Sequence, residues 1–381
     1  MTNKYSGFIF LLIMVFCFGC KEPYEPNLPS IPQGFLVVEG VINAQGPTRI
    51  KLSRTTPLDQ KKTFKPELNA SLWVEGDDNS SFALLAQPNG LYSSVTLPIN
   101  PSRQYRLRIK TKDSKEYISE FVPVKITPAI DSISWKEDQE GVTVYANAHD
   151  DLNKTIYYQW DYDETWEIRS AYYASWRYVN GIIRASQPTD PPVYYCWKYD
   201  TSSNIHLGSS AKLEKDIIHL HPLLVIPNMD EKLGIRYSIQ VRQYALGKEG
   251  YQFFEQMKKN TELLGSIFDP QPSALKGNIR AVSNPDETVI GYVSVATIQQ
   301  KRIFISRENG DLRNPGFNMY NLCQTDSVDN HPDSIKAKIP HSVWPYEPVY
   351  MGIFITHYLS APPACVDCRE RKGINVKPSF W

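Results

Sequence analysis

Residues Tyr105–Lys110 read YRLRIK. Apolar and basic residues alternate without a break, so Tyr105, Leu107 and Ile109 share one face of a strand and Arg106, Arg108 and Lys110 the other. A half-buried strand needs neighbours, and the chain supplies them on both sides. Upstream, Phe35–Val41 (FLVVEGV) is a buried-strand run and Thr48–Leu52 (TRIKL) alternates; Ala70–Glu75 (ASLWVE) and Ser81–Leu85 (SFALL) follow. Pro88, Asn89 and Gly90 are a turn signal ahead of Leu91. Downstream, Glu116–Val122 is a last strand. Roughly seven short strands in succession, without helical periodicity, predict an immunoglobulin-like β-sandwich over residues 34–124.

Past the boundary at Ile126–Ala129 (ITPA) the pattern stays β. It runs through Asp131–Trp135, Gly141–Ala148 and Tyr157–Ile168 (YYQWDYDETWEI), where Tyr158, Trp160 and Tyr162 fall on one face. Ala171–Pro192 reads as a long excursion, followed by strands at Asp216–His221 and Ile235–Ala245. Lys248–Leu264 carries Phe253, Phe254, Met257 and Leu264 near one face, with Gly265 behind it, and is expected to be a helix. Ser266–Pro272 (SIFDPQP) breaks it; Val289–Val295 and Lys301–Arg307 are β again, and Pro362–Trp381 holds a Cys-Val-Asp-Cys motif. The expected fold class is mainly β: the first sandwich, then a larger β-sandwich-like domain over 125–381 with one inserted helix.

The other end of the chain says where such a body works. Phe8–Phe18 (FIFLLIMVFCF) is an unbroken apolar run after a short polar start with Lys4. A bilayer-spanning helix needs about 20 apolar residues, so this shorter run reads as a signal peptide, residues 1–19. Gly19 before Cys20 is the step that lipoprotein processing requires, although Cys17 and Phe18 stand where a leucine and a small residue are commoner. Cys20 is therefore the expected lipidation site, and residues 20–33, rich in proline, a tether. The 362 residues beyond position 19 exceed one ordinary core and suggest two or three domains.

Charge is balanced, 41 basic against 41 acidic residues, so no basic surplus draws the chain to nucleic acid. The 23 Tyr, 8 Trp and 28 Pro suit strands and ordered loops. Of six cysteines, Cys17 leaves with the signal and Cys20 takes lipid. Cys196, Cys323, Cys365 and Cys368 remain as candidate disulfide partners, with three pairings open.

No G-x-S-x-G elbow, H-E-x-x-H or phosphate-cradling loop occurs. Asp161, Asp163, Glu164 and Glu167 cluster and could supply paired carboxylates, but Asp161 and Asp163 alternate with Trp160 and Tyr162, which reads as a solvated face behind an aromatic one. His219 and His221 fall on one strand face without a third ligand fixed by spacing. Asn147–Asn153 (NAHDDLN) lacks the acid spacing of a calcium loop. Cys-x-x-Cys among prolines and coil fits a structural disulfide better than zinc or a redox site, its partners being each other or the other two cysteines. Neither metal nor cofactor is called for, and no catalytic residue is assigned. The aromatic density of Tyr157–Tyr199 stands out: Trp160 and Trp166 suit a core, whereas Tyr172, Tyr173, Trp176 and Tyr178 are the candidate ligand or partner interface.

Several stretches together carry a resemblance: Phe35–Val41, Tyr158–Glu167, Tyr237–Tyr244, Gly265–Asn278, Gly291 with Tyr292, Lys301–Ile305, Cys365–Arg369 and the closing Lys377–Trp381. In order and spacing they resemble the Bacteroidota outer-membrane lipoprotein family catalogued as domain of unknown function 4249. The resemblance implies a two-part β body, a cell-surface partner role and genes that neighbour those of TonB-dependent transporters. Lys21 and Glu22 after the lipidated cysteine resemble that phylum's surface-export signal. The expectation is a non-enzymatic lipoprotein, anchored to the outer membrane and facing outward, that helps a TonB-dependent transporter capture or gate its substrate. The alternatives are a stand-alone carbohydrate- or peptide-binding module and a hydrolase using Asp163.

Overall fold

A computed structural model describes residues 34–56, 65–262, 275–314, 316–339 and 341–381. The expected signal peptide, Cys20, Lys21, Glu22 and the tether lie outside the described residues, as does the break at Ser266–Pro272.

In chain order the first strands are β1 (Leu36–Asn43), β2 (Pro47–Arg54), β3 (Lys65–Pro66), β4 (Ser71–Gly76) and β5 (Ser81–Ala86). Next come β6 (Leu91–Thr96), β7 (Gln104–Lys110), β8 (Glu116–Ser119) and β9 (Val122–Lys125). The middle of the chain adds β10 (Ile130–Glu137), β11 (Gly141–His149), β12 (Tyr157–Arg169), β13 (Trp176–Val179) and β14 (Ile182–Ala185). It continues with β15 (Tyr195–Thr201), β16 (His206–Ser209), β17 (Ile217–Pro227), β18 (Arg236–Leu246) and the helix α1 (Lys248–Glu262). The last part holds β19 (Ile279–Ala281), β20 (Val289–Gly291), β21 (Ser294–Ala296), β22 (Ile298–Ser306) and β23 (Asp326–Asp329). It ends with α2 (Pro332–Lys338), β24 (Trp344–Met351), β25 (Phe354–Ala361) and α3 (Pro363–Val366). The mainly β expectation holds.

The alternation in YRLRIK is realised in β7, where Tyr105, Leu107 and Ile109 are buried. They join Leu36, Ile50, Leu72 and Val74 in one core. Among the described residues, eight strands close on themselves in the order β7-β4-β5-β6-β2-β1-β21-β9, with β9 pairing back onto β7. A continuous ring therefore stands where two separate facing sheets were expected: β5 bonds to β6 on one side, and β9 bonds to both β7 and β21 on the other.

The ring also corrects the domain boundary at 124/125. β21 fills the gap between β1 and β9, β20 pairs with β1, and β19 pairs with β8. Val289, Val293 and Val295 lie in the same core as Leu36. Residues 279–296 thus complete the first unit rather than the second. The physical reason is edge pairing: without β21, β1 and β9 would each leave a row of unpaired N–H and C=O groups.

In the middle unit two sheets, β10-β11-β17 and β15-β12-β18-β22, share one core. Tyr158, Trp160 and Tyr162 all point into it, as their spacing predicts. Two of the polar tips are satisfied there: Trp160 Nε1 donates to Gln243 Oε1 at 2.8 Å and the Tyr158 hydroxyl donates to Asp216. The helix α1 is present as expected over Lys248–Glu262, with Phe253 buried and its ring 5.8 Å from that of Tyr292. Gly250 permits this approach, because a Cβ there would sit 2.9 Å from the Tyr292 ring.

A third, smaller body comes from two distant parts of the chain. The β13–β14 hairpin of the excursion packs against the sheet β23-β25-β24, over two small apolar clusters. The single domain expected over 125–381 is thus divided. Among the described residues the four remaining cysteines form two disulfides, Cys196–Cys368 and Cys323–Cys365. The Cys-Val-Asp-Cys pair is not bonded to itself; each member reaches a different distant cysteine.

Candidate functional site

The third body is where the aromatic excursion ends up. Its hairpin turns at Asn180 and Gly181, both with positive φ, which fits a two-residue connection between strands paired Val179↔Ile182. Tyr172 stacks on Tyr346 with ring centroids 4.5 Å apart and donates its hydroxyl to the Cys323 carbonyl at 3.2 Å. Trp176 lies 5.9 Å from Tyr358, and Tyr178 packs on Val328, Ile339 and Val343. Of the four rings read as a ligand or partner interface, these three are half-buried and hold the hairpin to the C-terminal sheet; Tyr173 alone is largely exposed. Their packing has a plain cause. Aromatic rings between two strands look unpartnered until the C-terminal sheet, more than a hundred residues later, arrives to cover them.

The same packing leaves a cavity of about 280 Å³. Its walls include Tyr178, Val179, Trp344 and Val366, and its charged groups are Arg177, Asp190, Asp367 and Arg369. Both carboxylates are already held. Asp190 receives Arg184 Nη1 and Nη2 at 2.8 and 2.7 Å and the Gln187 N–H at 2.8 Å. The Arg184 guanidinium keeps that carboxyl well below the usual range. Asp367 receives Arg369 Nη2 at 2.6 Å and the Arg369 backbone N–H at 2.8 Å. Arg177 differs. Its Nη1 donates to the Pro191 carbonyl at 2.7 Å, while its Nε is buried and has no hydrogen-bond partner. The cavity therefore combines a mostly apolar wall with one guanidinium that forms no close ion pair.

A second cavity of about 370 Å³ lies between the middle unit and the C-terminal segment. Each of its cations is engaged: Arg371 pairs with Glu231, Arg169 with Glu167 at 2.7 Å, and Arg307 donates to the Leu233 and Asn314 carbonyls at 3.0 and 2.6 Å. A shallow open depression at Ile217–His221 holds His219 and His221. The two do not form a chelating face. Leu220 between them takes φ +48, His219 is exposed, and His221 stacks on Trp160 at 4.5 Å, where burial pushes its imidazole down to about 4. Among the described residues no group of three or more His, Cys, Asp or Glu is placed to hold a metal.

The acidic cluster of β12 is built into ion pairs. Arg242, opposite Asp161 across the β12–β18 ladder, reaches both Asp161 and Asp163, and the Tyr244 hydroxyl donates to Asp161 at 2.7 Å. Asp161 and Asp163 are half-exposed, as a solvated face requires. Glu164 and Glu167 are not: both are buried, Glu164 accepting from Lys232 Nζ at 2.8 Å and the Tyr237 hydroxyl at 2.6 Å. Beyond Asp163 the strand is covered on both faces, so the alternation ends there.

One surface feature has no counterpart in the sequence reading. At the tip of the β24–β25 hairpin, around Gly352 with φ +63, Tyr350, Met351, Ile353 and Phe354 are 55, 74, 86 and 71% exposed. Arg177, Val179, Trp344 and Val366 were missed as well. A strand-rich apolar stretch such as YMGIF looks like core in sequence, and only the glycine hints at a turn.

None of the curated proteins matches this sequence. Among the solved structures that match is a mutant of Salmonella alpha-2-macroglobulin, 9% identical, aligned over 89% of this chain and 17% of that one with a TM-score of 0.17. The chain thus spans less than a fifth of that protein's length. The family model for the domain of unknown function DUF4249 matches residues 21–302, most of the chain, and this protein belongs to that family.

Proposed function

We propose that this protein is a non-enzymatic, surface-exposed outer-membrane lipoprotein that serves as a substrate-capture or gating subunit of a TonB-dependent transporter. The observation that carries this reading is the hairpin tip, where four large apolar side chains project together into solvent. Contiguous apolar exposure of this kind is a mark of interaction surfaces. Two disulfides suit an oxidising compartment outside the cytoplasm. An acyl chain on Cys20 would raise the concentration of the tip beside a membrane-embedded partner, so a modest interface stays occupied. We also read the two facing sheets of the middle unit as the β-sandwich of the expected second domain.

The test is co-purification of a β-barrel with the protein after crosslinking in intact cells and detergent extraction. Replacing Ile353 and Phe354 by serine should abolish it while leaving the fold intact, and a wild-type protein recovered alone would refute the docking role. Release from the membrane in Cys20→Ser tests the anchor separately. The cavity at Arg177 favours one further reading, a binding module that acts without a transporter; saturable ligand binding with no barrel recovered would select it.

A further inference from the structure

We propose that the cavity at Arg177 binds a small carboxylate with an aromatic or bulky apolar body, either a free aryl carboxylate or the C-terminal residue of a peptide. This rests on reading the protein as a capture module, but not on its docking to a transporter. Size, wall chemistry and charge each narrow the ligand. A space of about 280 Å³ takes one large side chain and its backbone, not an oligosaccharide. The wall is set by Val179, Val193, Val366 and Pro345, with the rings of Tyr178 and Trp344, so a polyhydroxylated sugar would leave most of its hydroxyls without partners.

Charge then selects the head group. Four ionic groups line the cavity, and the two carboxylates are neutralised, Asp190 by Arg184 and Asp367 by Arg369. Arg177, which forms no close ion pair and adds to the field holding Asp190 ionised, makes three arginines around two carboxylates. Its Nη1 is fixed to the Pro191 carbonyl, which orients the guanidinium plane; its Nε is shut off from solvent, so an anion in the cavity is met by the Nη groups. A carboxylate accepts charge-assisted hydrogen bonds from a guanidinium that a neutral amide cannot match in strength. The position is also held firmly. Arg177 and Tyr178 lie on β13, which packs on β24, and Val366 lies beside Cys365, whose disulfide to Cys323 ties the C-terminal segment to the residues before β23.

The experiment is calorimetric titration of the full-length protein in detergent with N-acetyl-L-phenylalanine, N-acetyl-L-phenylalaninamide and 3-phenylpropionate. The wild type should bind the first acid at least about tenfold more tightly than its amide. Arg177→Gln should erase that difference, and Arg177→Lys should keep part of it, since the charge remains and the fork is lost. Val179→Phe, which fills the cavity, should remove binding of all three probes with the circular dichroism spectrum unchanged. A preference for the acetylated acid over 3-phenylpropionate assigns the site to peptide ends, and the reverse to free acids. Equal affinity for acid and amide, no saturation by any probe, or unaltered binding in folded Val179→Phe would overturn the proposal. None of these outcomes depends on recovery of a barrel, so the two readings fail independently.

Discussion

Replacing Cys196 and Cys368 together by alanine should destabilise this protein more, and over more of its body, than replacing Cys323 and Cys365. The first bond closes a separation of 172 residues and the second one of 42, for which the chain-entropy relation gives about 5 and about 4 kcal/mol. The gap of about 1 kcal/mol follows from the slow, logarithmic growth of closure entropy with loop length. Cys196 and Cys368 are both fully buried, so truncation to alanine also leaves small voids, each worth roughly 1 kcal/mol. Location adds a second distinction. The longer loop encloses residues 279–296, which complete the eight-strand ring, whereas the shorter one lies wholly within the C-terminal body. Urea unfolding followed by tryptophan fluorescence, with calorimetry beside it, should show the longer-loop variant lowering stability in every transition and the shorter-loop variant lowering chiefly one. The urea slope should rise in both, because an uncrosslinked unfolded chain exposes more surface. A shorter-loop variant less stable than the longer-loop one, or a cost below about 1 kcal/mol in either, would refute the reasoning.

The ring makes its own test: residues 34–125 expressed alone should stay unfolded, and adding a peptide of residues 278–297 should restore a cooperative transition in circular dichroism. Val295→Asp, at a site 1% exposed, should cost about 3 kcal/mol or more in urea unfolding because its charge would be buried without a partner. Acid should weaken the middle unit. The His221 imidazole stays neutral down to about 4, lowered by burial and then by His206 and Lys258, while the unfolded chain takes up a proton near the ordinary value of 6.5. Between those values the unfolded state binds more protons, so stability rises with pH and falls on acidification from 7 to 4, by up to about 3 kcal/mol less a discount for partial exposure. His221→Gln should flatten that slope in pH-dependent urea unfolding. Ile353→Ser with Phe354→Ser should change stability by no more than about 0.5 kcal/mol, since both side chains already face water.

Strand identity was legible wherever the alternation has a single buried face. Tyr105, Leu107 and Ile109, and again Tyr158, Trp160 and Tyr162, point inward as their spacing requires, because a period of two places every second side chain on one side whatever the sheet around it. The helix at Lys248–Glu262 was legible for the same reason at its own period, and the four cysteines announced disulfides by their even number. Pairing was not legible. That β21 closes the first ring, that Cys196 meets Cys368, and that Tyr172 and Trp176 lie under a C-terminal sheet are all contacts between segments far apart in the chain. No local pattern encodes such a meeting, since edge hydrogen bonds and apolar faces are satisfied by any partner of suitable shape. The cavity and its guanidinium are of the same kind: Arg177 resembles any surface arginine until two distant segments fold around it.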